Sequence, residues 1–198
     1  MTHPHSLKTP PGAGHSSFDL IEADKLFGAL ALKKGTTLLD MGCGKGDYAL
    51  AAAAAVEPEG TVYAADLWEE GLETLKARAE DVGVRNLKPL AADISKIIPL
   101  DLASVDVCLL ACVLHDLFEF GMAEGALVEA ARVLKPGGRL AVVEFDKVEG
   151  PPGPPMYIRL TPEDVESLVA PHGFRKAQLA RVGPYNYLII FEKAQGSK

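Results

Sequence analysis

No stretch of this chain stays apolar for long. The longest run, Val107–Leu114, falls far short of the roughly 20 residues that a membrane-spanning helix needs, so no span is expected. The first residues, Met1 to Ser17, are polar and rich in proline and glycine, without the apolar centre of a secretory signal. Cysteine is scarce. Cys43, Cys108 and Cys112 are too few, and odd in number, for a disulfide framework, which points to a reducing compartment and a cytoplasmic protein. Basic charge is also short: 20 Lys and Arg stand against 27 Asp and Glu, a net charge of −7. Lys33–Lys34 and Arg175–Lys176 are isolated pairs, not a stripe, so nucleic acid is not an expected partner. With neither membrane nor nucleic acid in view, the expected partner is a small molecule, bound by a monomer or a homodimer.

What is present suits one domain. Hydrophobic residues make up 48% of 198, enough for a single core. Residues 1–17 read as a flexible tail; it carries His3, His5 and His15, with nothing to order a metal site. Residues 18–198 read as the domain. Phe18, Ile21, Leu26 and Leu30 recur at helical spacing, and Lys33-Lys34-Gly35 closes that helix near Leu32. Strands and helices then alternate. Strands are expected at Thr36–Met41, Thr61–Ala65, Leu87–Ala92, Val105–Cys112 and Arg139–Phe145. Helices are expected at Asp47–Val56, Glu69–Val82 and Met122–Leu134, the last stopped by Lys135-Pro136-Gly137-Gly138. Such a rhythm implies right-handed crossovers and a parallel sheet covered on both faces. The end departs from it. Thr161-Pro162-Glu163-Asp164 starts a helix, and Phe174–Val182 and Tyr185–Glu192 are joined only by Gly183-Pro184, which makes that pair antiparallel.

Chemistry concentrates in Leu39-Asp40-Met41-Gly42-Cys43-Gly44-Lys45-Gly46-Asp47, a buried strand running through three glycines into a helix. Glycines there let the backbone approach a ligand that a Cβ would repel. The spacing is G-x-G-x-G, not the G-x-G-x-x-G of pyrophosphate binders. Asp66 ends the second strand, where a carboxylate can accept hydrogen bonds from both hydroxyls of a ribose, a feature dinucleotide folds share. Asp93 ends the third, where a carboxylate can accept from the exocyclic amine of adenine.

These segments, in this order, resemble the class I S-adenosylmethionine-dependent methyltransferases of the small-molecule kind, over about Leu20–Lys193. Leu38-Leu39-Asp40-Met41-Gly42-Cys43-Gly44-Lys45-Gly46 is similar to the family's first motif. Val105-Asp106-Val107 through His115 is similar to its fourth, and Ala131-Arg132-Val133-Leu134-Lys135-Pro136-Gly137-Gly138 to the helix and turn before strand five. The resemblance implies an α/β three-layer sandwich, Rossmann-like, with a seven-stranded, mostly parallel sheet of order 3-2-1-4-5-7-6 and an antiparallel last strand. It implies S-adenosylmethionine as cofactor. Gly42, Cys43 and Gly44 would line its methionine part, and Asp40 would orient the loop or meet the amino group through water. Asp66 and Leu67 would hold the ribose, Asp93 and Ile94 the adenine. Ala111 would pass the methionine amine through its backbone.

Other readings stand beside these. Asp66 and Asp93 also suit helix N-caps, and Trp68 suits either an adenine cover or helix packing. Cys108 and Cys112, four apart on a strand, would face one way and form a C-x3-C-x2-H string with His115; lacking a fourth ligand, they read as core and no metal is expected. His115 and Glu144 follow strands four and five and are the candidate bases, His115 being equally suited to cap a helix. Tyr157, Tyr185 and Tyr187 are candidates for the pocket edge, or for core and surface. A protein that binds the cofactor without turnover, or an NAD-dependent oxidoreductase with a fully parallel sheet, would use many of the same residues.

Overall fold

A computed structural model describes residues 12–150 and 152–194. The expected alternation runs β1 (Thr37–Met41), α2 (Asp47–Ala55), β2 (Thr61–Asp66), α3 (Glu69–Asp81), β3 (Leu87–Ala91), β4 (Val105–Ala111), α4 (Leu114–Glu119), α5 (Ala123–Val133) and β5 (Leu134–Phe145), after an opening helix α1 (Ala23–Leu30). Helix α6 (Pro162–Val169) and strands β6 (Phe174–Arg181) and β7 (Asn186–Lys193) complete it. The seven strands form one sheet, ordered β3-β2-β1-β4-β5-β7-β6. β1 to β5 pair in parallel, and β7 runs antiparallel to both β5 and β6. A fully parallel sheet is thereby excluded.

Both faces of the sheet are covered, which is why its central strands are nearly continuous apolar runs. Leu39, Cys108, Leu110, Val142 and Ile189 belong to one buried cluster; Leu38, Val107, Leu109, Val143 and Leu188 belong to the other. Strand alternation sorts them. Helix α6 starts as its sequence suggests: Asp164 N–H donates to Thr161 Oγ1, and Thr161 N–H to Asp164 Oδ2, a complete capping box.

Four expectations need correction. The opening helix is broken: a 3-10 turn at Phe18–Leu20 precedes α1, because Glu22 N–H leaves the helical path to donate to Val182 O. It ends at Leu30 on a left-handed Ala31, before the lysines. Strand β5 begins five residues early. Leu134 pairs with Val105 and Arg139 with Val107, so Lys135-Pro136-Gly137-Gly138 is a bulge inside the strand and not a stop before it. Leu114–Glu119 is a helix that the apolar pattern did not announce. Finally, Cys108 and Cys112 do not face one way. The strand ends at Ala111, and Cys112 takes a left-handed backbone, φ 54°, that turns it toward the cluster opposite Cys108.

Candidate active site

The ends of β1, β2, β3, β4 and β5 lie along one edge, where open α/β sheets receive ligands. A cavity of about 630 Å³ opens there. Its floor is the glycine loop. Gly42 and Cys43 N–H both donate to Ala65 O, which fixes the turn out of β1. The three glycines differ in kind. A Cβ on Gly42 would meet Val113 Cγ2 at 2.8 Å, and one on Gly46 would meet Leu75 Cδ1 at 2.2 Å. A Cβ on Gly44 would meet nothing within 4 Å. Gly44 therefore lines open space that a ligand would fill.

Asp66, nearly buried, is tied into this floor. Its Oδ2 accepts from Gly44 N–H and its Oδ1 from Trp68 N–H, each at 2.8 Å. A carboxylate oxygen takes two hydrogen bonds, so capacity remains toward the cavity. The indole of Trp68 lies where a Cβ on Gly71 would be, 2.4 Å from Trp68 Cε3, and also lines the cavity. Asp93 Oδ1 accepts from the amide and hydroxyl of Ser95. Burial raises the Asp93 pKa, but those bonds and the charge of Lys96 outweigh it and hold the carboxyl below its usual value. Asp40 lies beneath the loop. Its Oδ2 has no hydrogen-bond partner among the described residues. Burial, then the charge of Asp66, pushes its pKa up to about 8.

The far side carries a histidine between two carboxyl groups. His115 sits in the first turn of α4, buried, and Glu144 near the end of β5, more buried still. Glu144 Oε2 lies 2.8 Å from His115 Nδ1, and Glu144 Oε1 accepts from His115 N–H at 3.1 Å. A carboxylate only accepts, so Nδ1 carries the proton and the lone pair is on Nε2. Asp116 Oδ1 is 3.6 Å from Nε2. Burial lowers the His115 pKa; the bond and charge of Glu144, with the charge of Asp116, outweigh it and leave it raised.

Among the residues expected at the site, Gly42, Cys43, Gly44, Asp66, Leu67, Asp93, Ile94, Ala111 and His115 all line the cavity. Asp40 and Glu144 do not line it, and Glu144 meets it through its hydrogen bond to His115. Tyr157 and Tyr185 are exposed and Tyr187 is core, its hydroxyl donating to Leu160 O; none lines the cavity.

Sequence reasoning missed the near wall. Residues 1–11 lie outside the described residues, His3 and His5 with them. Residues 12–17, expected to belong to a tail, pack on the cavity, and Gly12, His15 and Ser17 line it. Ser17 is buried; the Tyr48 hydroxyl bonds it at 2.7 Å, and it donates to Cys112 Sγ at 3.0 Å. A lone serine in a Gly/Pro segment carries no pattern that announces this. Met122, read from the sequence only as the start of a helix, also lines the cavity.

Comparison with known proteins agrees with the geometry. A family model described as a methyltransferase domain matches residues 32–170. The ubiquinone/menaquinone biosynthesis C-methyltransferase UbiE of Ralstonia pickettii is 37% identical over 61% of this chain and 48% of its own length. A demethylmenaquinone methyltransferase of Lactococcus lactis is 32% identical over 56% of this chain and 42% of its own. The chain thus spans about half the length of these relatives. Among solved structures, a SAM-dependent methyltransferase from Aquifex aeolicus superposes with a TM-score of 0.82 and 28% identity, over 98% of this chain and 100% of that one. The [4+2]-cyclase SpnF shares the fold, with a TM-score of 0.73 and 20% identity over 88% of this chain and 80% of its own.

Proposed function

The chain belongs to the class I S-adenosylmethionine-dependent methyltransferases, and on that premise we propose that it transfers a methyl group to a small apolar molecule seated between the glycine loop and His115. The observation that carries this reading is a single cavity, with Gly44, Asp66 and Asp93 at one end and His115 at the other. The residues present fit the cofactor: the Gly44 position is open, Asp66 keeps lone pairs toward the cavity, and buried Asp40 Oδ2 is unpaired among the described residues. S-adenosylmethionine, when bound, supplies a methyl group already activated on a sulfonium.

The protein's own work is then alignment, exclusion of water and proton handling. Glycine-loop amides and Asp66 fix one end. Phe120, Met122, Phe145 and Ile158 give the acceptor end an apolar lining that suits a ring and repels water. Glu144 holds the imidazole by Nδ1, so Nε2 takes the acceptor's proton, and Glu144 stabilises the imidazolium that results. The Ralstonia relative, a C-methyltransferase by name, supports carbon as the methylated atom. The three free thiols support a cytoplasmic setting, and among the described residues no helix is long and apolar enough to cross a membrane.

Two measurements test the reading. Calorimetry should show binding of S-adenosylmethionine and S-adenosylhomocysteine but not NAD. A screen of hydroxylated aromatic acceptors should release S-adenosylhomocysteine. Tight binding without turnover on any acceptor class would reduce the protein to a cofactor binder; NAD binding alone would overturn the assignment.

A further inference from the structure

Arg159 lies between the 3-10 turn Met156–Ile158 and α6, and it is 4% exposed. A buried guanidinium ordinarily meets a carboxylate. Among the described residues Arg159 meets none. Its five N–H groups instead point to five carbonyls: Nε to Pro154 O, Nη1 to Asp146 O and Val148 O, Nη2 to Gly150 O and Pro152 O, at 2.8–3.1 Å. Every second carbonyl from 146 to 154 is taken, and every donor of the guanidinium is used. Beyond Asp146 N–H to Tyr185 O and Val148 N–H to Asp146 O, the described residues of this segment are not paired in a ladder, so the side chain supplies hydrogen bonds that secondary structure would have supplied. The guanidinium also lies over the Phe145 ring, 5.7 Å from its centroid. Gly153 touches the same ring, since a Cβ there would fall 2.6 Å from Phe145 Cδ1. Phe145, Pro152, Gly153 and Pro154 all line the acceptor end of the cavity.

We propose that Arg159 is the positioning residue of the acceptor side. It gathers the backbone following β5 onto one guanidinium and so holds Phe145 and Gly153 as the cavity wall. Its charge, with no carboxylate of its own, balances Glu144 and Asp116 around His115. The second half rests on the reading that His115 faces the acceptor. Glu144 from β5 and Asp116 from α4 lie 2.8 and 3.6 Å from the imidazole nitrogens, and Arg159, bonded to Asp146 O and lying over Phe145, flanks Glu144 along the chain and opposes their charge.

The test separates the fork from the charge and needs no acceptor. Arg159→Lys keeps the charge but loses the planar fork, and Arg159→Met loses both. Lys147 and Glu149 are exposed, so trypsin and a glutamate-specific protease probe the gathered backbone. Both variants should be cut there at least about tenfold faster than the parent, as expected when a locally stabilised segment opens. Titration of the His115 imidazole by nitrogen NMR, assigned with H115Q, should show an unchanged midpoint in Arg159→Lys. In Arg159→Met the proton affinity should rise about threefold or more once the opposing charge is gone. If neither variant folds, the parent decides: a guanidinium with every N–H occupied should exchange its protons slowly. Equal proteolysis of parent and Arg159→Met, or fast guanidinium exchange in the parent, would overturn the clamp. An unmoved His115 midpoint in Arg159→Met would overturn the charge balance. Loss of the His115 role in turnover would leave the proteolysis result intact, so the two readings fail separately.

Discussion

At the scale of single residues, the three loop glycines make different demands. Gly46 is barred from a side chain by Leu75, whereas Gly44 is barred only by its backbone, φ 54°, and by whatever fills the open space beside it. A left-handed alanine costs on the order of 1 kcal/mol. Gly44→Ala should therefore fold with a modest loss of stability yet lose most of its affinity for S-adenosylhomocysteine. Gly46→Ala should instead lose stability first. Calorimetry and thermal melting on the pair check this; unchanged affinity in folded Gly44→Ala would show that the open space is not the ligand's. Asp66→Ala removes a carboxylate that both fixes Gly44 and keeps lone pairs toward the cavity. The loss of charge-assisted bonds should weaken the cofactor by about 1.5–3 kcal/mol, roughly 10–150-fold. Affinity equal to the parent's would remove Asp66 from the binding site. The glycines and both strand-end aspartates were legible in the sequence because each sits where a periodic run stops. Ser17 and Arg159 were not, because what defines them is a set of partners distant in the chain, or a row of carbonyls, that no spacing encodes.

At the scale of elements, the tight join between β6 and β7 shows where local signals end. Gly183-Pro184 was readable as a turn. Its glycine, however, is required for another reason: a Cβ would stand 2.3 Å from Leu20 O and 3.1 Å from Ile21 Cα, on the segment that breaks the opening helix. Gly183 is thus the floor on which the near wall of the cavity rests, and Glu22 N–H seals the contact by donating to Val182 O. A backbone carbonyl has no rotamer to yield. Gly183→Ala should cost about 1–3 kcal/mol, as overpacking does. It should also shift Leu20, which lines the cavity. Chemical denaturation gives the stability loss, and proteolysis after Lys25 reports the loosened segment. Full stability would mean that the segment adapts without strain. The same non-local logic explains the misjudged β5. Proline and two glycines end a helix locally, and only the pairing of Leu134 with Val105 shows that the strand has already begun.

At the scale of the whole molecule, the fold was legible because each level of the sequence agreed: alternating elements, strand-end loops and an antiparallel closing pair. The site was half legible, since the end proposed for the cofactor repeats a chain-local pattern while the end proposed for the acceptor is assembled from α4, residues 12–20 and the segment that bonds Arg159. That assembly buries charge, and its cost should appear in the pH dependence of stability. Asp47, Asp93 and Asp164 have depressed pKa values, so their contribution is present above the ordinary carboxylate range and is lost only in acid. Asp40 works the other way. Its pKa is raised to about 8, so between the ordinary carboxylate value and about 8 the unfolded chain has released a proton that the folded protein keeps, and stability falls as pH rises. His115, also raised, adds to the same slope: its contribution is full below the ordinary histidine value and is lost as pH rises through the folded one. The melting temperature of the ligand-free protein should therefore decline from about pH 5 to about pH 8.5, and Asp40→Asn, a neutral isostere, should flatten most of that decline. If Asp40→Asn melts in parallel with the parent across that range, the buried carboxyl is not the source of the slope. The same protonation bears on turnover: because His115 releases its proton above the usual histidine value, the rising limb of the rate should lie above that value, and in Glu144→Gln, which leaves a hydrogen-bonding partner but removes the charge, it should move down. A limb that stays in place in Glu144→Gln would assign the proton transfer to a group other than His115.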